Sequence, residues 1–190
     1  IGGLGFLSEC MESNLDESIH NLLNDKYGIS KRMILEARIK LNSKEEIYWA
    51  LNDVVVDHGS SPRVLKTEVH VSDHYLNTYE GDGLIISTPT GSTSYAMSLG
   101  APILYPTMES HILVPIAAYR IGARPLVIPS KYEITAKLTG NPEAVMVIDG
   151  QEEILITIED KIKFKKSSEP VELIRFNDNF FERVRTKLRL

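Results

Sequence analysis

Residues 81–100 read GDGLIISTPTGSTSYAMSLG, and their grammar sets the fold. Leu84, Ile85 and Ile86 form a short apolar run of the kind a buried strand needs. Six hydroxyl residues then fill the eight positions from Ser87 to Ser94, broken only by Pro89 and Gly91. Tyr95 to Leu99 reads as a helical stretch ended by Gly100. The hydroxyls therefore fall on a strand-to-helix turn. The N–H groups at a helix start lack internal partners and suit an anion or polar ligand. Ser and Thr add donors and acceptors, Gly91 lets a backbone approach closely, and Pro89 stiffens the loop. No Lys or Arg occurs in the segment, and neither a P-loop nor a G-x-G-x-x-G fingerprint is present. That composition favours nucleoside or sugar atoms over a triphosphate clamp. An ordinary capped helix start remains the plainer reading of Ser and Thr there.

Outward from this segment, period two dominates. Met33, Leu35, Ala37, Ile39 and Leu41 alternate with charged residues; so do Leu65, Thr67, Val69 and Val71, then Ile154, Ile156 and Ile158, then Ile162 and Phe164. Each run predicts a strand with one wet face. Turn clusters divide them at His58-Gly59-Ser60-Ser61-Pro62, Gly140-Asn141-Pro142 and Ser167-Ser168-Glu169-Pro170. The expected fold is mainly β, α+β overall: a β-sandwich of antiparallel strands with a few helices. A helix is expected near Leu15–Tyr27, with Leu15, Ile19, Leu22 and Leu23 on one face, Ser13 or Asn14 as cap and Gly28 as stop. Another amphipathic segment lies near Asn179–Lys187. The basic run from Lys161 to Lys166 reads as the solvated face of a strand.

Composition narrows the function. The 190 residues carry 43% hydrophobic and 25% charged side chains and a net charge of −5, which disfavours nucleic acid. No apolar run approaches a membrane span, so no membrane partner is expected. One cysteine, Cys10, precludes an internal disulfide and fits a reducing, cytoplasmic setting. The opening Ile-Gly-Gly-Leu-Gly-Phe-Leu reads as a strand entering a turn, cut from a longer chain. His70 and His74 sit four apart in a strand-and-turn context, a spacing that makes no metal site there. Ser92 lacks the glycines at 90 and 94 of a hydrolase elbow. Asp149-Gly150 is a plain hairpin signal, and Asn52-Asp53 could simply bend a strand end.

Asp82-Gly83-Leu84-Ile85-Ile86-Ser87 followed by Thr88-Pro89-Thr90-Gly91-Ser92-Thr93-Ser94-Tyr95 resembles the signature of the NAD kinase family. Leu4-Gly5-Phe6-Leu7-Ser8-Glu9, Ala50-Leu51-Asn52-Asp53, Arg124-Pro125-Leu126 and Ile148-Asp149-Gly150-Gln151 resemble other family segments in order, so the resemblance spans almost the whole chain. It implies transfer of a phosphoryl group from ATP or polyphosphate, with Mg²⁺, to the 2′-hydroxyl of the adenosine ribose of NAD, giving NADP. It implies residues 1–30 as a remnant of an amino-terminal α/β domain that is mostly lacking, 31–175 as the NAD-binding sandwich, and 176–190 as a helix or tail. By motif position, Asn52 and Asp53 would hold the adenosine portion. Thr90, Thr93, Ser94, Tyr95 and Ser98 would line the adenine and ribose pocket. Asp82 and Ala117 would meet the nicotinamide half from a neighbouring subunit of a homodimer or homotetramer, and Gly150 would lie near the dinucleotide. The family's glycine-glycine-aspartate-glycine loop is absent, so the catalytic base is expected upstream of Ile1. Asp53 stands where glutamate is usual, Ser94 where alanine is common and Ala123 where asparagine is common. A non-catalytic NAD- or NADP-binding and oligomerisation fragment is the alternative; a diacylglycerol- or sphingosine-type lipid kinase is a more distant one.

Overall fold

The structure, a computed structural model, describes residues 6–8, 10, 12–41, 44–60, 64–120, 122–140, 143–177 and 179–188. The expected features at Leu4-Gly5, Glu9, Ser61-Pro62 and Asn141-Pro142 lie outside them. The strands are β1 (Gly28–Arg32), β2 (Leu35–Leu41), β3 (Lys44–Ala50), β4 (Asp53–Asp57), β5 (Leu65–Val71), β6 (His74–Gly81) and β7 (Gly83–Ser87). There follow β8 (Ser110–Ile116), β9 (Leu126–Pro129), β10 (Ile134–Leu138), β11 (Glu143–Ile148), β12 (Glu152–Thr157), β13 (Lys161–Lys166) and β14 (Val171–Arg175). The α-helices are α1 (Leu15–Leu23), α2 (Tyr95–Ser98) and α3 (Phe180–Leu188).

Two six-stranded sheets, both antiparallel, make one compact unit from Met33 to Pro170. Their orders are β3-β2-β13-β10-β5-β6 and β12-β11-β4-β7-β8-β9. Alternation explains the layering. Leu35, Ala37 and Ile39 of β2, Ile162 and Phe164 of β13, and Val54 and Val56 of β4 meet in one core between the sheets. Lys163 and Lys165 on the other face of β13 pair with Glu133 at 3.0 Å and Glu36 at 3.4 Å, so the basic run is a solvated, ion-paired face. The expected mainly-β, antiparallel architecture holds.

β7 is buried on both faces. Leu84 and Ile86 point into the inter-sheet core, while Ile85 joins Val55, Ile112, Val114 and Ile116 in a second cluster. Ala96, Ala101 and Leu104, in and after α2, cover that cluster. The apolar face of the segment after the hydroxyl turn thus clamps the turn onto the sheet. Burying these side chains contributes about 1.5–3 kcal/mol each. On the inner face of β8, His111 is wholly buried, and neither ring nitrogen has a hydrogen-bond partner.

The second unit comprises Ile1–Arg32 and Val171–Leu190, where β1 and β14 form a two-stranded antiparallel sheet. α1 ends at Leu23, not at Gly28: Asp25 turns at φ 53°, and Gly28 opens β1 instead. Asn14 holds the N-cap position without a side-chain capping bond. Leu15, Ile19, Leu22 and Leu23 are 47%, 46%, 43% and 78% exposed, so the apolar face expected on this helix is not buried within the unit. α3 has its expected start: Asn179 Oδ1 accepts from the Glu182 N–H at 3.1 Å, and Asn179 Nδ2 donates to the Glu182 carboxylate at 2.7 Å.

Candidate functional site

The site is organised from a hairpin tip. Asp149 and Gly150 join β11 to β12 with φ of 47° and 66°, and the Gln151 N–H closes the turn on the Ile148 carbonyl at 2.9 Å. Two positive φ values are the primed-turn geometry that a tight hairpin requires. The turn aims the Asp149 carboxylate at the backbone before β4. Oδ2 accepts from the Leu51 N–H at 2.8 Å, and Oδ1 accepts from the N–H groups of Asn52 at 2.8 Å and Asp53 at 3.0 Å. The Asp149 N–H returns a bond to the Asp53 carbonyl at 3.0 Å.

The anchored 51–53 segment in turn holds the hydroxyl turn. The Asn52 carbonyl accepts from the Thr88 N–H at 2.8 Å and from Ser87 Oγ at 3.1 Å. Thr88 Oγ1 donates to the Leu51 carbonyl at 2.5 Å and accepts from the Gly91 N–H at 3.1 Å. Gly91 is required here, since a Cβ would stand 2.1 Å from the Asn52 carbonyl oxygen. Ser92 Oγ donates to the Pro89 carbonyl at 2.6 Å and accepts from the Leu104 N–H at 3.0 Å. Thr93 Oγ1 donates to the Thr90 carbonyl at 3.3 Å.

The sequence predicts a strand-to-helix turn whose helix-start N–H groups lack internal partners. It is instead a 3-10 turn, Gly91–Thr93, running into the four residues of α2. The amides of Gly91, Ser92 and Ser94 are satisfied inside it. Four of its hydroxyls, on Ser87, Thr88, Ser92 and Thr93, brace the loop. Of the other two, Ser94 is exposed, while Thr90 is 7% exposed and its Oγ1 is buried with no partner. Such a group costs about 1–3 kcal/mol unless something satisfies it. Ser94, Tyr95 and Ser98 face outward, and Ser98 Oγ donates to the Tyr95 carbonyl at 2.7 Å.

Asp53 opens β4 directly beside Ser87, its partner in the ladder. Burial, and secondarily the neighbouring Asp149 carboxylate, push its carboxyl from 3.8 up to about 6. It is an acceptor held close to its own titration point. Asn52, Asp53, Thr90, Thr93 and Gly150 thus belong to one neighbourhood, with Ser94, Tyr95 and Ser98 along its outer rim. Asp82 and Ala117 do not join it. They lie together at the other end of β7, where the Asp82 N–H donates to the Ile116 carbonyl at 3.0 Å and Ala117 takes φ 44°. Along the strand that is about 20 Å from Thr88.

Sequence reasoning missed Asp149, taken as a turn signal. Its sequence marks are an Asp where the turn needs positive φ and its place in the Ile148-Asp149-Gly150-Gln151 segment, and neither names its hydrogen-bond partners. No group of three or more His, Cys, Asp or Glu gathers among the described residues. His70 instead meets Glu68 at 2.9 Å and Tyr75 edge-on.

The family model described as ATP-NAD kinase C-terminal domain matches residues 51–176. An NAD kinase of Caldanaerobacter subterraneus subsp. tengcongensis is 40% identical over 191 residues, covering 99% of this chain and 68% of that protein. One from Methanosarcina acetivorans is 40% identical over 190 residues, with 99% and 68% covered. The chain spans about two thirds of the length of the curated relatives it matches, 66% for that of Gemmatimonas aurantiaca. Among solved structures, yeast NADH kinase complexed with NADH superposes with a TM-score of 0.90 at 22% identity, over 100% of this chain and 58% of that one, a likeness of fold. An NAD kinase from Archaeoglobus fulgidus in complex with ATP gives 0.81 at 25% identity, covering 97% and 71%.

Proposed function

This chain belongs to the NAD kinase family, and we propose that its 51–53, 87–98 and 149–150 segments form the NAD-binding part of an enzyme making NADP. The donor is ATP or polyphosphate, and the acceptor is the 2′-hydroxyl of the adenosine ribose. One observation carries the reading: the buried, unpartnered Thr90 Oγ1 stands in the same braced turn that abuts Asn52 and Asp53. A nucleoside hydroxyl or adenine edge would supply the missing partner. Asp53, with its carboxyl at about 6, is mostly ionised at pH 7 and can accept from a ribose hydroxyl. Tyr95, 44% exposed, offers an aromatic face at the rim.

In this scheme the sandwich of residues 33–170 binds and orients NAD. Phosphoryl transfer depends on such positioning and on a base for the attacking hydroxyl. We assign no base within the chain; it is expected outside it. Mg²⁺ would travel with the donor's phosphates, its usual partners with a nucleoside triphosphate. Asp82 and Ala117, remote from Thr90 in one copy, would complete the nicotinamide end for a second copy in a homodimer or homotetramer. A cytoplasmic setting suits this substrate; no helix among the described residues is long and apolar enough to cross a membrane.

Calorimetric titration of NAD into the chain tests the pocket. Saturable binding weakened by more than about tenfold, or 1.4 kcal/mol, in Thr90→Val and Tyr95→Ala is the expected result. A folded sample that ignores millimolar NAD would defeat the reading for this chain. The second reading is a binding fragment without turnover. Fusing the upstream third of the Caldanaerobacter relative separates the two: NADP formation by the chimera supports the kinase, and binding without turnover supports the fragment.

A further inference from the structure

We propose that Asp149 is a positioning residue, whose carboxylate fixes the hydroxyl turn through the backbone of residues 51–53 without touching the turn itself. Its three acceptor bonds fall on consecutive N–H groups, those of Leu51, Asn52 and Asp53, at 2.8, 2.8 and 3.0 Å. Three consecutive amides converging on one carboxylate leave the segment a single orientation. That orientation points the Leu51 and Asn52 carbonyls at Thr88 Oγ1, the Thr88 N–H and Ser87 Oγ. Gly91 then seats against the Asn52 carbonyl, where no Cβ would fit. The chain of contacts runs from the β11–β12 hairpin, across 97 residues of sequence, to the loop that carries Thr90.

The choice of Asp is itself informative. Asn tolerates positive φ as well as Asp does, so the turn alone would accept either. An amide, however, has one oxygen and an NH₂ group. With Oδ1 still serving Asn52 and Asp53, the NH₂ would confront the Leu51 N–H, donor against donor. A full carboxylate is needed to receive all three amides. It does so at the cost of a second negative charge beside buried Asp53, a cost that plain hairpin chemistry does not explain.

The inference concerns the site proposed above and rests on that reading only for its functional consequence. The test is amide hydrogen exchange in the full chain, comparing Asp149→Asn with Ile162→Val, a core truncation on the other sheet. The expected result is exchange at the Thr88 and Gly91 amides about tenfold faster in Asp149→Asn, equivalent to about 1.4 kcal/mol of local opening. In Ile162→Val these amides should change no more than the rest of their sheet. Unchanged Thr88 and Gly91 amides in a folded Asp149→Asn, whatever happens at 51–53, would overturn the proposal. NAD titration of the same samples separates the two claims. Faster exchange with weaker NAD binding in Asp149→Asn alone supports both. Faster exchange with no NAD binding by any sample, the unsubstituted chain included, leaves the positioning role supported and removes the ligand assignment.

Discussion

Asp53→Asn should make this protein acid-sensitive between pH 6.5 and 4, because two buried groups now cancel there. His111 loses its charge on burial: desolvation lowers its imidazolium from 6.5 to about 4. A lowered histidine contributes stability that is complete above 6.5 and lost as pH falls towards 4, since the unfolded chain takes the proton first. At about 1.36 kcal/mol per pH unit, that loss is about 3 kcal/mol. Asp53 runs the other way. Its carboxyl is raised from 3.8 to about 6, so the folded state takes the proton first. Its contribution is complete below 3.8 and lost as pH rises through 6, again about 3 kcal/mol. The sum over the window is nearly flat. Asp53→Asn removes the term that grows as pH falls and exposes that of His111. The assay is urea unfolding at half-unit steps from pH 7 to 4, with both proteins in the same buffers. The variant should lose about 3 kcal/mol more than the parent across the window, while His111→Leu should instead gain as the pH falls. Parallel profiles for parent and Asp53→Asn would refute the reasoning, because the remaining carboxylates are common to both.

Gly91→Ala places a Cβ 2.1 Å from the Asn52 carbonyl oxygen and 2.5 Å from Ser87 Oγ. Relief requires the turn to leave Asn52, so urea unfolding should show a loss of about 2–4 kcal/mol, and NAD titration a weaker site. Phe164→Ala, in the centre of the inter-sheet core with no exposure, should cost about 3–5 kcal/mol by the same unfolding assay. Thr90→Val should do the reverse, raising stability by up to about 1 kcal/mol because it removes a buried hydroxyl with no partner, while thermal melts show NAD protecting it less than the parent. Lys163→Ala, whose partner Glu133 is 38% exposed, should shift stability by less than about 0.5 kcal/mol in the same melts.

What the sequence disclosed depended on whether a strand has one wet face. β2, β5, β12 and β13 alternate, because their outer faces meet solvent, and each was visible in the chain. β4 reads Asp-Val-Val-Val-Asp and β8 carries His-Ile-Leu-Val. Both are covered on two sides, so alternation vanishes and they pass for undifferentiated apolar runs. Strand order was not legible at all. β2 lies beside β13, joining Ala37 to Phe164, and nothing local to either segment encodes that pairing. At the site, the hydroxyl turn was legible as a place but not as a mechanism: side-chain oxygens of Ser and Thr look alike in sequence whether they face a ligand or a backbone carbonyl. Asp149 was read correctly as a turn residue and incompletely as a chemical group, because its partners lie 96 to 98 residues away.

The position of β13 also sets a schedule for synthesis. It is the last strand but one in the sequence, yet it sits inside the first sheet, between β2 and β10. Until residues 161–166 have been made, that sheet exists only as two separate ribbons, β3-β2 and β10-β5-β6. At about 5–20 residues per second, β2 waits roughly 6–25 s on the ribosome for its partner, with one edge open throughout. A nascent chain halted at Asp160 should therefore be held by chaperones and cut readily by protease, whereas one extended past Pro170 should close and resist both.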